Sequence, residues 1–283
     1  MEAAMEFKTI VVHVNGSADT ERRVRIAAQL ARMSKGRLIG AAMSGVSRFL
    51  YADHATAMGV SLAAQCMDDA RKQARENLDR FERQCESLEL PSYEARIVDD
   101  QAADGLVLQS RYGDLVVLGQ ANPDDPVSPM EEETPEFVAM NSARPVLVVP
   151  YAGDFDAPFR HVLVAWDGSM EATRAVTAAI PLMQRADKVT LAVFNAGRAP
   201  DTHGGEPGAD IALYLARHGI KVEVSAQVTE IDIGSALLSF AADIDAGLLV
   251  MGCYGHSRFR EIMLGGATRT ILHSMTLPVF MAH

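Results

Sequence analysis

The sequence predicts an α/β protein built from two open, parallel five-stranded sheets flanked by helices, and three observations predict it. Short, nearly unbroken apolar runs such as IVVHV (Ile10–Val14) and VLVAW (Val162–Trp166) suit strands buried on both faces of a parallel sheet. Segments of helical period follow such runs, and alternation of strand and helix is the signature of a sheet covered on both sides. The whole pattern is written twice.

The repeat has two registers. FKTIVVHVNGS (Phe7–Ser17) lies over FRHVLVAWDGS (Phe159–Ser169) at an offset of 152, pairing Gly16 with Gly168 and Ser17 with Ser169. Further on, DLVVLG (Asp114–Gly119) lies over GLLVMG (Gly247–Gly252), and RPVLVVP (Arg144–Pro150) over LPVFMAH (Leu277–His283), both at an offset of 133. The first half therefore carries 19 more residues in its middle, the difference of the two offsets. With Gly, Asp and Pro punctuating Tyr151–Arg160, the sequence divides into domains at residues 1–150 and 151–283.

In order, each half opens with its apolar strand and a helix. In the first, ADTERRVRIAAQLARMSKG sets Ile26, Ala27, Leu30 and Ala31 on one face, with Gly36 placed to end the helix. In the second, SMEATRAVTAAIPLMQRAD does the same, with Pro181 expected to kink or shorten it. A second strand (RLIGAAM; KVTLAVF), a second helix, a third strand (YEARIV; KVEVSAQV), a third helix (QAADGLVLQSRY; GSALLSFAADID), a fourth strand ending at Gly119 or Gly252, and a last helix and strand complete each half. The additional residues fall between Met43 and Leu90, where a long amphipathic helix with a mobile lead-in is expected in a structural role.

Composition narrows the function. A formal net charge of −11 argues against a nucleic-acid surface, which needs clustered Lys and Arg. No stretch approaches the roughly 18 consecutive apolar residues of a membrane span, and the start MEAAMEF lacks the plan of a signal peptide, so a cytoplasmic protein is expected. Three cysteines, Cys66, Cys85 and Cys253, have neither disulfide-frame nor zinc-ligand spacing, and the eight histidines form no metal-binding pair on one helix face.

Ligands of open α/β sheets bind beyond the carboxyl ends of the strands, near the point where strand order reverses. Two segments of the second half reach that edge with unusual sequences: Trp166-Asp167-Gly168-Ser169 and the stretch from Gly252 to Thr268. The latter reads Gly252-x2-Gly255-x9-Gly265-Gly266-Ala267-Thr268. Glycines let backbone amides approach a phosphate chain, and a helix begun near Gly266 aims its free N–H groups at an anion. Thr268 adds a hydroxyl. His256, Arg258, Arg260 and Arg269 flank the loop and read as solvated charges first and phosphate contacts second. Neither G-x-x-x-x-G-K-[ST] nor G-x-G-x-x-G occurs.

That spacing resembles the G-x2-G-x9-G-(S/T) signature of the ATP-binding universal stress proteins, and Asp167-Gly168-Ser169 resembles their D-G-S after the first strand. The resemblance covers the chain in two copies and implies a tandem protein of two Rossmann-like domains, of the adenine nucleotide alpha hydrolase-like kind. It further implies that Asp167 meets the adenosine, that residues near Ala165 and Phe194 wall the adenine, that Trp166 and Met251 belong to the same ATP site, and that Gly252, Gly255, His256, Gly265, Gly266, Ala267 and Thr268 hold ribose and phosphates. ATP is the implied ligand, with Mg²⁺ or Mn²⁺ carried on the phosphates and Asp167 the metal contact. One position departs from the signature: Gly266 stands where a Ser or Thr follows the third glycine, which removes a hydroxyl donor but keeps the amide.

The first half has lost this loop. Gly255 is matched by Asn122, Gly265 by Glu132, Gly266 by Glu133, Thr268 by Pro135, and Asp167 by Asn15. With Asp124, Asp125 and Glu131 close by, like charges oppose a polyphosphate, so this half is expected to hold no ATP. The resemblance also implies pairing of the last strands, RPVLVVP and LPVFMAH, as an intrachain pseudo-dimer or in a homodimer. The function so implied is stress-response regulation through ATP binding, with slow hydrolysis left open and an unidentified protein partner. The alternative is a nucleotide-independent interaction module. No nucleophile, base and orienting group can be placed together from the sequence.

Overall fold

A computed structural model describes residues 7–45, 60–125, 133–155, 159–198, 206–254 and 266–283. They form two compact units, Phe7–Arg144 and Pro145–His283.

The first unit is a parallel sheet of β1 (Thr9–His13), β2 (Arg37–Met43), β3 (Tyr93–Val98) and β4 (Leu115–Gly119) in the order β3-β2-β1-β4. Ile10, Val12, Leu38 and Leu115–Val117 are fully buried, as the apolar runs require. Helices α1 (Thr20–Ser34), α2 (Val60–Ser87), α3 (Ala102–Ser110) and α4 (Thr134–Asn141) complete it. The long helix α2 has the packing role expected of it. Its Phe81 ring lies so close over Gly40 of β2 that a β-carbon there would come within 2.6 Å, and it meets Tyr93 of β3 edge-on at 6.2 Å. The lead-in expected to be mobile lies, at residues 46–59, outside the described residues.

The expected end of α1 differs in detail. The left-handed residue is Lys35 (φ 49°), not Gly36, whose N–H closes the helix on the carbonyl of Ala31 at 2.8 Å. Gly36 is needed for a different reason: a side chain there would stand 2.3 Å from the Phe7 carbonyl oxygen.

In the second unit β6 (His161–Ala165), β7 (Lys188–Phe194), β8 (Val222–Gln227), β9 (Leu248–Gly252) and β10 (Val279–Ala282) form five parallel strands in the order β10-β9-β6-β7-β8. Helices α5 (Met170–Met183), α6 (Ala209–Arg217), α7 (Ile233–Asp243) and α8 (Ala267–Ser274) connect them. Pro181 sits inside α5, which ends two residues later at Met183. The strand order reverses between β6 and β9, as it does between β1 and β4 in the first unit.

The fifth strand that the repeat allots to the first half, β5 (Val146–Val149), packs within the second unit. It runs antiparallel to β10, with Val146 opposite Met281, Leu147 opposite Phe280 and Val148 opposite Val279. Every one of these six side chains is at most 1% exposed, so each strand covers an edge that would otherwise offer free N–H and C=O groups. No helix among the described residues is long and apolar enough to cross a membrane.

Candidate functional site

The carboxyl edge of the second sheet gathers the segments that carry the unusual sequences. Ala165 ends β6 level with Ala192 of β7, and the Trp166 N–H donates to the Ala192 carbonyl at 2.9 Å, so the chain leaves the sheet only at Asp167. Val164 lies opposite Val250, which brings Ala165 and Trp166 beside Met251 and Gly252 at the strand-order reversal. Phe194, two residues beyond Ala192, ends β7 on the other side and packs edge-on against Phe240 of α7 at 6.3 Å. Ala165, Trp166, Phe194, Met251 and Gly252 thus share one edge.

The loop into α5 is shaped by its own polar groups. The exposed Asp167 accepts the N–H of Ser169 through Oδ1 at 2.9 Å, and Gly168 takes the left-handed conformation (φ 76°) that this turn requires. Ser169 caps α5, its Oγ accepting the Ala172 N–H at 3.1 Å. One carboxylate oxygen of Asp167 is therefore engaged in the turn. The capping role of Ser169, a helix-start signal in the sequence, was not among the predicted contacts.

Gly252 is the tightest point. A β-carbon there would stand 2.4 Å from the Ala172 nitrogen and 2.6 Å from the Glu171 carbonyl carbon, so β9 runs directly against the first turn of α5. Gly266 caps α8 in the left-handed region (φ 52°), and Ala267 and the buried Thr268 form the helix's first turn. Because α8 leads into β10, parallel to β9, it starts on the carboxyl side of the sheet with its first N–H groups unmatched within the helix. Gly234 of α7 holds it there, with room for no side chain against the Ala267 carbonyl at 2.8 Å. Gly255, His256 and Gly265, together with Arg258 and Arg260, lie outside the described residues; Arg269 is exposed on α8.

The same edge of the first unit is built differently. Gly119 keeps the close approach to α1, but what it meets is Asp19 Oδ2 at 2.6 Å and Arg23 Nη1 at 2.3 Å from the site of a β-carbon. Arg23, 3% exposed, donates from Nε to the His13 carbonyl at 2.9 Å, from Nη1 to Asp19 at 3.2 Å, and from Nη2 to Ser17 Oγ at 3.1 Å, to Thr20 Oγ1 at 2.7 Å and to Asn15 Oδ1. Burial, then the guanidinium, push the His13 imidazole down to about 3, so this histidine is neutral. Asp125 is buried nearby, Asp124 donates its N–H to Asn122 Oδ1 at 3.1 Å, and Glu133 is the residue before α4; Glu131 and Glu132 lie outside the described residues. Arg23 escaped the sequence reading, although the offset of 152 sets it over Ala175.

Among the described residues no group of three or more His, Cys, Asp or Glu could hold a metal ion.

Residues 158–283 match the model of the Universal stress protein family. A universal stress protein of Synechocystis is 27% identical over 146 residues, which is 51% of this chain and 48% of that protein, so the chain spans about half the length of the curated relative it matches. Among solved structures, a universal stress protein from Archaeoglobus fulgidus has a TM-score of 0.72 at 15% identity, covering 98% of each chain. A putative universal stress protein from Pseudomonas aeruginosa has a TM-score of 0.55 at 14% identity, covering 97% of this chain and 92% of that one. The chain is thus similar to the universal stress proteins in sequence over residues 158–283, and their α/β fold extends over nearly its whole length.

Proposed function

We propose that this is a stress-response regulatory protein that binds an adenine nucleotide, ATP, at the carboxyl edge of its second unit and not in its first. The observation that carries the reading is Gly252 at the strand-order reversal, run so close against the start of α5 that no side chain fits between β9 and the first turn of that helix. Phosphates are held in such places by main-chain amides and by helix starts, here that of α8 at Gly266, Ala267 and Thr268. Ala165, Trp166, Phe194 and Met251 supply apolar and aromatic surface for a base, and the exposed Asp167 keeps a carboxylate oxygen for the nucleoside or for Mg²⁺ or Mn²⁺ on the phosphates. The residues therefore fit the ligand that the family resemblance implies. Gly255, His256 and Gly265 complete the set in this reading.

The chain's own part is binding and positioning. Asp167 and Ser169 hold the loop, and α8 presents N–H groups to an anion. Occupancy of the site alters the conformation or the partners of the chain, and a partner protein reads that change.

Acid extraction of the purified chain, followed by anion-exchange separation of the supernatant, tests this reading. An adenine nucleotide should be released, and Gly255→Asp should come without it while retaining its circular dichroism. A wild-type chain free of nucleotide that also fails to take up added ATP would leave an interaction module independent of nucleotide.

A further inference from the structure

At corresponding positions of the two repeats stand Arg23 and Ala175, both buried on the first helix after the first strand. A methyl group in one unit is a guanidinium in the other. The residues around it change in step: His13, Asn15 and Asp19 in the first unit stand where the second has Ala165, Asp167 and Glu171. Arg23 reaches five residues of the β1–α1 segment, namely His13, Asn15, Ser17, Asp19 and Thr20. Those groups also bind one another, with Ser17 Oγ and Thr20 Oγ1 donating to Asn15 Oδ1 at 2.7 and 2.8 Å. A planar fork of five donors is the side chain that can satisfy so many acceptors at once, and a buried guanidinium persists only when it is so satisfied.

This network occupies the point where open α/β sheets take their ligands, between the ends of β1 and β4. We propose that Arg23 is the first unit's resident ligand: a covalently attached cation that fixes the β1–α1 loop from within, at the position where the second unit takes a bound molecule. The part concerning the second unit rests on the nucleotide reading above; the part concerning Arg23 does not. Duplication has in this way separated a self-closed unit from one that responds to occupancy. The open crevice beside this network, lined by Asn15, Asn122, Asp124 and Asp125, carries acidic groups that disfavour polyphosphate.

Hydrogen exchange on the full-length chain, read by mass spectrometry, tests the proposal. In Arg23→Ala, peptides covering 13–23 should lose protection by about tenfold or more, while those on α2 and in the second unit keep theirs. Methylguanidinium at about 20 mM should restore most of that protection by binding the vacated position, and N-methylurea, its neutral counterpart, should not. Unchanged protection in the variant, or equal effects of the two compounds, overturns the proposal. Should Arg23→Ala fail to fold, Asp19→Asn provides the reading: faster exchange confined to 13–23 supports it, and the wild-type rate there overturns it. ATP added to the wild type should protect 165–172 and leave 13–23 unchanged. If 165–172 does not respond while methylguanidinium rescue holds, the nucleotide reading fails and the Arg23 assignment stands.

Discussion

A β-carbon on Gly252 would stand 2.4 Å from the backbone nitrogen of Ala172. The neighbour is main chain in the first turn of α5, which cannot swing aside as a side chain can. Gly252→Ala should therefore destabilise the second unit by about 1–3 kcal/mol, the usual range for an overpacked methyl group. A urea midpoint equal to that of the wild type would show that β9 and α5 separate more readily than this geometry allows.

His13 gives the first unit a dependence on acid. Its imidazole lies near 3 in the folded chain, chiefly through burial and secondly through Arg23, against 6.5 for the unperturbed group. Between those values the unfolded chain binds a proton that the folded chain refuses, so stability falls as pH drops from about 6.5 towards 3, by at most about 1.4 kcal/mol per pH unit. His13→Gln should lose less stability than the wild type between pH 7 and pH 5 in denaturant titrations. Equal losses would contradict the burial of a neutral ring.

Thiol chemistry should separate the cysteines. Cys85 is buried in α2, and burial first, then the carboxylates of Glu82 and Glu86, push its thiol up to about 12. Cys66 is exposed on the same helix, and Cys253 is buried. Iodoacetamide at pH 8 should label Cys66 within minutes and the other two only on unfolding, because the thiolate is the nucleophile and access is required. Labelling of Cys85 in the folded chain at the rate of Cys66 would show that α2 opens far more often than the packing of its Phe81 on Gly40 and Tyr93 implies.

Much of this organisation is legible in the residues alone, because buried parallel strands must be apolar throughout: Ile10–Val12, Leu115–Val117, Val162–Val164 and Leu248–Val250 are strands where the apolar runs place them. Gly252 was also readable, since a glycine closing such a run marks a close backbone approach. Lys35 was not. Nothing local distinguishes the left-handed residue from the glycine beside it, and the Phe7 carbonyl that makes Gly36 necessary comes from β1's approach, 29 positions back along the chain. Arg23 was hidden for a related reason. In RRVRI it is one of three arginines, and only packing against the ends of β1 and β4 separates the buried one from Arg22 and Arg25. The internal repeat held the signal, since Arg23 over Ala175 sets a long cation against a buried methyl group.

The central claim is that one chain carries one nucleotide site, in the second unit at the carboxyl edge of β6 and β9, and none in the unit closed by Arg23. Titration calorimetry of the full chain with ATP and Mg²⁺ tests it most directly. The account predicts a stoichiometry of one per chain that disappears in Gly266→Asp, which sets a carboxylate at the start of α8 in a conformation aspartate tolerates. Two equal sites per chain, or a single site unaffected by that substitution, would contradict it.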